Sequence, residues 1–172
     1  MKLSTLCYIE NDGRYLMLHR TKKKNDLNEG KWIAVGGGFE KDESPEECAV
    51  REVKEETGLT LTSYCFRGIV TFVSDVWETE YMHLFTADGF IAPDGSAIPD
   101  ASVRFEGKLP DCSEGHLAWI EKSEVPKLPT WAGDRLFLNL LMETDEFFSL
   151  KLEYSGDDLV RASMSGKEIP LY

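Results

Sequence analysis

Residues 36–59 leave the chain little local freedom. The apolar run Trp32-Ile33-Ala34-Val35 is stopped by Gly36-Gly37-Gly38, so a short strand must give way there to a tight loop. A helix then begins with its boundary written out: Ser44 is placed to cap, Pro45 sits at the first helical position, and Glu47 completes a Ser-x-x-Glu capping box. Gly58 supplies the residue that ends a helix in the left-handed conformation. Strand, glycine loop and capped helix follow in that order, and the rest of the fold has to be built around them.

The flanking pattern is rich in strands. Leu3 to Ile9 and Tyr15 to His19 surround Asn11-Asp12-Gly13, a hairpin signal. A basic loop runs from Arg20 to Lys31, and aromatic and β-branched residues predict strands at Tyr64 to Val73 and Tyr81 to Thr86. Asp88 to Gly115 is punctuated by Gly, Pro, Asp and Ser and reads as a long, partly ordered surface loop, with 88–108 as a loop insertion. Leu117 to Ile120 resumes a strand. Leu136, Phe137, Leu140 and Leu141 within Trp131 to Met142 have the spacing of an amphipathic helix. A closing hairpin at 147–164 is expected from Phe147 to Tyr154 and Leu159 to Met164 around Gly156-Asp157-Asp158. At 172 residues, with no internal repeat, the chain is read as a single domain.

A net charge of −12 excludes an extended grip on a DNA or RNA backbone, which relies on clustered Lys and Arg. A small polyanion remains possible where cations screen the carboxylates. Cys7, Cys48, Cys65 and Cys112 form no Cys-x-x-Cys pair, which fits free thiols in a reducing cytoplasm. No apolar stretch approaches the length of a membrane span, so no membrane partner is expected.

Glu52, Glu55 and Glu56 stand three and four residues apart, on one helical face. Crowded carboxylates repel, and a divalent cation turns that cost into a gain. Oxygen ligands at this density suit Mg²⁺ or Mn²⁺ rather than zinc, and His19, His83 and His116 are too scattered to change that. For a glutamate-rich helix taken alone, a solvated face is the commoner explanation. The wider pattern decides against it: Gly37, a gap of five residues, Glu43, a gap of seven, then Arg51-Glu52-Val53-Lys54-Glu55-Glu56-Thr57-Gly58-Leu59. This resembles the Nudix box at every defining position.

The resemblance implies an α/β/α sandwich around a mixed sheet, with Glu52, Glu55 and Glu56 as metal ligands. The glycines would bring a backbone carbonyl, that of Gly36, close to the metal. Gly37 and Gly58 shape the loop and the helix end, Glu43 and Arg51 pair to hold the loop against the helix, and Val53 and Leu59 face the core. Beyond the box, Leu16-Met17-Leu18-His19-Arg20, Glu29-Gly30-Lys31-Trp32, Asp111-Cys112-Ser113-Glu114-Gly115 and Pro129-Thr130-Trp131-Ala132-Gly133-Asp134 are similar to the MutT-type 8-oxo-dGTP diphosphatases. The implied reaction is attack of water on a nucleoside triphosphate, giving the monophosphate and pyrophosphate. Glu56 and Glu114 are the candidate bases, Glu114 also a further metal ligand. Lys23 is placed to meet the triphosphate, Trp131 to cover the purine and Asp134 to bond its edge. A solvated lysine, a loop carboxylate and a core tryptophan beside a helix start are the competing explanations of these residues. The chain departs from the vertebrate relatives at Ile33, where they carry asparagine, and at Gly133-Asp134, where they carry two acids. Other Nudix activities, on dinucleoside polyphosphates or ADP-ribose, and a nucleotide sensor without turnover are the alternatives.

Overall fold

The computed structural model describes residues 1–171. Ten strands run β1 Lys2–Asn11, β2 Arg14–Arg20, β3 Trp32–Gly38, β4 Thr60–Ser74, β5 Glu80–Ile91, β6 Ala97–Ile98, β7 Gly115–Glu121, β8 Phe148–Ser155, β9 Asp158–Met164 and β10 Lys167–Ile169. Helix α1 spans Pro45–Thr57 and helix α2 Asp134–Glu143. The strands form one sheet in the order β10-β9-β8-β4-β5-β1-β3-β2-β7, with β6 beside β5. β1 runs parallel to β5 and β4 parallel to β8, while the other pairings are antiparallel, so the sheet is mixed.

Strand alternation sends side chains to both faces, and each face is buried under one helix. Tyr8, Tyr15, Met17, Ala34, Leu84 and Val70 share a core with Phe137, Leu138 and Leu141 of α2. Their neighbours Cys7, Ile9, Leu16, Val35 and Phe85 point the other way, onto Ala49 and Val53 of α1. A fully buried Leu, Val or Phe contributes about 1.5–3 kcal/mol, so this burial rather than intrinsic propensity holds both helices in place. The result is the expected α/β/α sandwich. Asp12 and Gly13 both have positive φ, at 50° and 72°, which makes the β1–β2 turn match the strand twist. Among the described residues no helix is long and apolar enough to cross a membrane.

The segment expected as a loop over 88–108 is more ordered than its composition suggests. β5 runs on through Asp88 and Gly89 to Ile91 and turns back into β6, with the Ala92 N–H and Gly95 N–H closing the turn. Farther on, the Asn11 side chain donates to the Val103 carbonyl and accepts from the Phe105 N–H. Phe105 is buried against Phe90 and Trp119. The apolar residues that hold this stretch find their partners across the sheet, and polar residues between them mask any local period. Two further differences are small. β10 adds a strand beyond the expected hairpin, and α2 begins at Asp134 because Trp131–Gly133 form a turn closed by the Asp134 N–H on the Trp131 carbonyl.

Candidate active site

Helix α1 is fixed at both ends. Ser44 Oγ accepts from the Glu47 N–H at 3.1 Å, the Glu47 carboxylate accepts from the Ser44 N–H at 2.8 Å, and Gly58 closes the helix with φ +76°. The strand before it ends in glycine for want of space: the expected stop at Gly36 does not occur, and Gly36, Gly37 and Gly38 continue β3, paired with Leu6, Thr5 and Ser4 of β1, so the loop begins only after Gly38. A Cβ on Gly36 would lie 1.9 Å from the Thr5 carbonyl oxygen, and one on Gly37 would lie 2.4 Å from the Glu52 carboxyl carbon. Glu52 therefore rests on the bare backbone of Gly37.

Arg51 ties the two parts together. Its guanidinium donates to Glu43 at 2.9 Å, to the Gly38 carbonyl at 3.0 Å, to Glu52 at 2.8 Å and to Glu55 at 3.2 Å. Hydrogen bonding to Arg51 brings the Glu43 carboxyl down to about 2. Burial raises Glu52, opposed by the hydrogen bond from Arg51.

Glu56 is 9% exposed and accepts from the Gly36 N–H at 3.1 Å. Burial pushes its carboxyl well above the ordinary range, the Gly36 N–H opposes, and the charges of Glu114 and Glu52 add to the rise. Glu114 reaches this point from the turn before β7 and is gripped by Arg20, which also holds Asp26 at 2.6 Å.

Glu55 is the exception to the expected shared face. It is exposed, turned to Arg51, and does not line the cleft that Glu52, Glu56 and Glu114 share. Residues four apart in a helix lie closer in direction than residues three apart, and Arg51 draws Glu55 outward. Among the described residues no three carboxylate, imidazole or thiol groups converge tightly enough to enclose an ion as they stand.

The cleft has a volume of about 340 Å³. It runs from Gly36, Gly37, Glu52, Glu56 and Glu114 over a floor of Leu6, Phe72, Met82 and Leu152 to a far wall of Trp131, Asp134 and Tyr154. Lys23 lies on its exposed rim. Trp131 is 6% exposed: its Nε1 donates to Asn28 at 2.9 Å, Phe72 and Tyr154 meet its ring edge-on, and the Lys31 ammonium sits 4.4 Å from the ring centroid. Asp134, partly exposed at the start of α2, is pushed by burial up to about 7.

Gly133 is forced by packing. A Cβ there would fall 2.5 Å from Leu152 and 2.6 Å from the Tyr154 hydroxyl, which accepts from the Gly133 N–H at 2.7 Å. That explains why a single acid, Asp134, is presented by this turn.

All the site residues expected from the sequence except Glu55 thus lie in this cleft or, like Glu43, Arg51 and Gly58, frame its helix. Arg20, Asp26, Asn28, Ser4 and Glu80 also line it, and the sequence singles out none of them as a site residue. Arg20 ends the stretch 16–20 that carries part of the resemblance, a cation closing an apolar strand beside a basic loop; the others have no such sign. Carboxyls displaced from their ordinary range and gathered in the main cleft mark a functional site.

Comparison with known proteins points the same way. The NUDIX domain model matches residues 2–141. The oxidized purine nucleoside triphosphate hydrolase of Danio rerio is 29% identical over 161 residues, covering 92% of this chain and 90% of that protein. The Nudix hydrolase YvcI of Bacillus subtilis is 27% identical over 143 residues, with 81% and 78% covered. The crystal structure of the mutator MutT protein from Bacillus halodurans superposes with a TM-score of 0.76 at 25% identity, over 97% of this chain and 99% of that one. With the glycine-ended strand β3, the capped helix and its Arg51-bound carboxylates all in the matched region, this chain belongs to the Nudix family and is a MutT-type hydrolase of phosphoanhydride bonds.

Proposed function

We propose that the protein is a Mg²⁺-dependent nucleoside triphosphate diphosphatase that converts oxidised purine deoxynucleotides such as 8-oxo-dGTP to the monophosphate and pyrophosphate, cleansing the cytoplasmic nucleotide pool. One observation carries this reading: a single cleft joins a carboxylate end, suited to a metal-bound triphosphate, to an aromatic and acidic end, suited to a purine. The similarity to the Danio rerio oxidized purine nucleoside triphosphate hydrolase supports the choice of substrate.

Nudix hydrolases in general use divalent cations. The donors here fit one. Glu52, Glu56 and Glu114 supply oxygen ligands only, and a cation relieves both the burial of the Glu56 charge and the repulsion from Glu114 and Glu52 that adds to it. Glu52, Glu56 and Glu114 would hold it, with Glu55 joining by a turn away from Arg51. A bound Mg²⁺ (Mn²⁺ has the same donor preference) neutralises charge on the phosphate oxygens and makes water a better nucleophile.

The chain's own groups do the rest. Glu56 or Glu114 accepts the proton of the attacking water, and Lys23 meets the triphosphate as a point charge. Trp131 offers its ring to the base, and the Asp134 carboxyl bonds the base edge. Arg51 and Glu43 keep the end of β3 and the loop that follows Gly38 seated against α1 while this happens.

The test is release of pyrophosphate and phosphate, with and without Mg²⁺, from 8-oxo-dGTP, dGTP, other triphosphates, ADP-ribose and a diadenosine polyphosphate. Metal-dependent pyrophosphate release with a strong preference for 8-oxo-dGTP is expected. Preference for ADP-ribose or the dinucleotide would replace the substrate. Nucleotide binding without turnover would make the protein a sensor.

A further inference from the structure

Glu80 lies in the same cleft and takes no part in the chemistry above. It is 7% exposed, and a charged side chain is seldom so buried without a reason. Sheet register sets its direction. Lys2, Glu80, Phe72 and Leu152 are successive partners across β1, β5, β4 and β8, so their side chains share one face. Phe72 meets the Trp131 ring at 5.7 Å, which places this row at the purine end of the cleft rather than beside Glu52 and Glu56.

The carboxylate of Glu80 is held on one side only. Ser4 Oγ donates to its Oε1, and the Lys2 ammonium lies 3.3 Å from the same oxygen. Oε2 has no hydrogen-bond partner among the described residues, and it is not sealed from solvent. Ser4 and Lys2 thus fix the group while one acceptor stays open. An ionised carboxylate can only accept, so an N–H set against it is bound and a ring nitrogen lone pair is repelled.

We propose that Glu80 is a specificity-determining residue whose Oε2 accepts from the donor edge of a purine, favouring a guanine-type base. Such a base presents a ring N–H and a 2-amino group side by side, whereas adenine sets a lone pair beside its amino group. This rests on the nucleotide reading above, and the test separates the two.

Equilibrium binding of dGMP, dIMP and dAMP to the full chain is measured without turnover, alongside kcat and KM for the corresponding triphosphates. dIMP differs from dGMP only in lacking the 2-amino group. Wild type is expected to bind dGMP about tenfold or more tightly than dIMP. Glu80→Met brings that ratio near one, Glu80→Gln retains part of it, and the change falls on KM rather than kcat. An unchanged ratio in Glu80→Met would overturn the proposal and leave Glu80 as a tie between β1 and β5. If that variant does not fold, Ser4→Ala serves: it loosens the carboxylate without removing it and is expected to lower the ratio, and an unaltered ratio there counts against the proposal. Selective binding that depends on Glu80 without any hydrolysis would sustain this inference and defeat the diphosphatase reading. Failure to bind any of the three would defeat both.

Discussion

At the α1 end of the cleft, Glu43, Arg51, Glu52 and Glu56 come from one continuous stretch and are held by a capped helix, the glycine end of β3 and a shared guanidinium. At the α2 end, Asn28, Phe72, Glu80 and Tyr154 come from separate segments and meet Trp131 and Asp134 of a single turn. Here the helix begins at Asp134, after a Gly133 that offers no side-chain cap, and that half-buried acid sits in its first turn. Apart from Glu114, the first end is built from contacts short in sequence and dense in charge, and the second from packing between distant elements. On the function proposed above, that division puts the phosphate chemistry on a local scaffold and base recognition on a nonlocal one.

Substitutions at the two ends should separate the two roles. The largest effect is expected from Glu56→Gln, which should lower metal-dependent turnover by about 10²–10⁴-fold. Because burial raises Glu56, its ionised form burdens the fold at neutral pH, so the melting temperature should hold or rise. Retained activity in this variant would sink the metal-site assignment.

Arg51→Ala comes next. It frees the Gly38 loop and lets the Glu43, Glu52 and Glu55 carboxylates repel, and metal affinity or activity should fall about 10–100-fold. Titration of Mg²⁺ against turnover checks it, and an unshifted metal requirement would show that Arg51 supports the fold alone.

At the other end, Trp131→Ala should raise KM about tenfold through loss of base stacking, with kcat changed far less. Asn28→Ala, which removes only the partner of the indole N–H, should act in the same direction and more weakly. Should kcat fall as steeply as KM rises, the two ends are not independent.

Asp134→Asn should give the smallest change, visible in pH dependence. Burial raises the folded carboxyl from 3.8 to about 7, so between these values the folded protein keeps a proton that the unfolded chain has released. This group's stabilising contribution is complete below about pH 4 and is lost as pH rises through about 7. The variant should therefore lose less stability than wild type between about pH 4 and pH 7 in urea unfolding. Parallel curves for the two proteins would show that Asp134 does not titrate in this window.

Much of the α1 end is legible in the order of the residues. Ser44, Pro45, Glu47 and Gly58 specify the helix because capping works over three or four residues, and strand alternation anticipates the two buried faces. The 88–108 segment is less legible. Asn11, in β1, holds residues 103 and 105, and nothing near those residues reveals that contact.

By itself, then, the sequence determined the capped helix and the helical spacing of Glu52, Glu55 and Glu56, since each depends on neighbours within a turn or two, whereas Gly36, Gly37 and Gly38 stay in β3 because β1 pairs with them. Tertiary structure alone decided that Glu55 turns out to Arg51, that Glu114 comes in beside Glu56, and that Asn28 steadies Trp131 across 103 residues of chain. It also decided that Lys2, Glu80 and Phe72 form one row at the Trp131 end of the cleft. These contacts are set by strand register and by the packing of two helices on opposite faces of one sheet, and local spacing carries no trace of either.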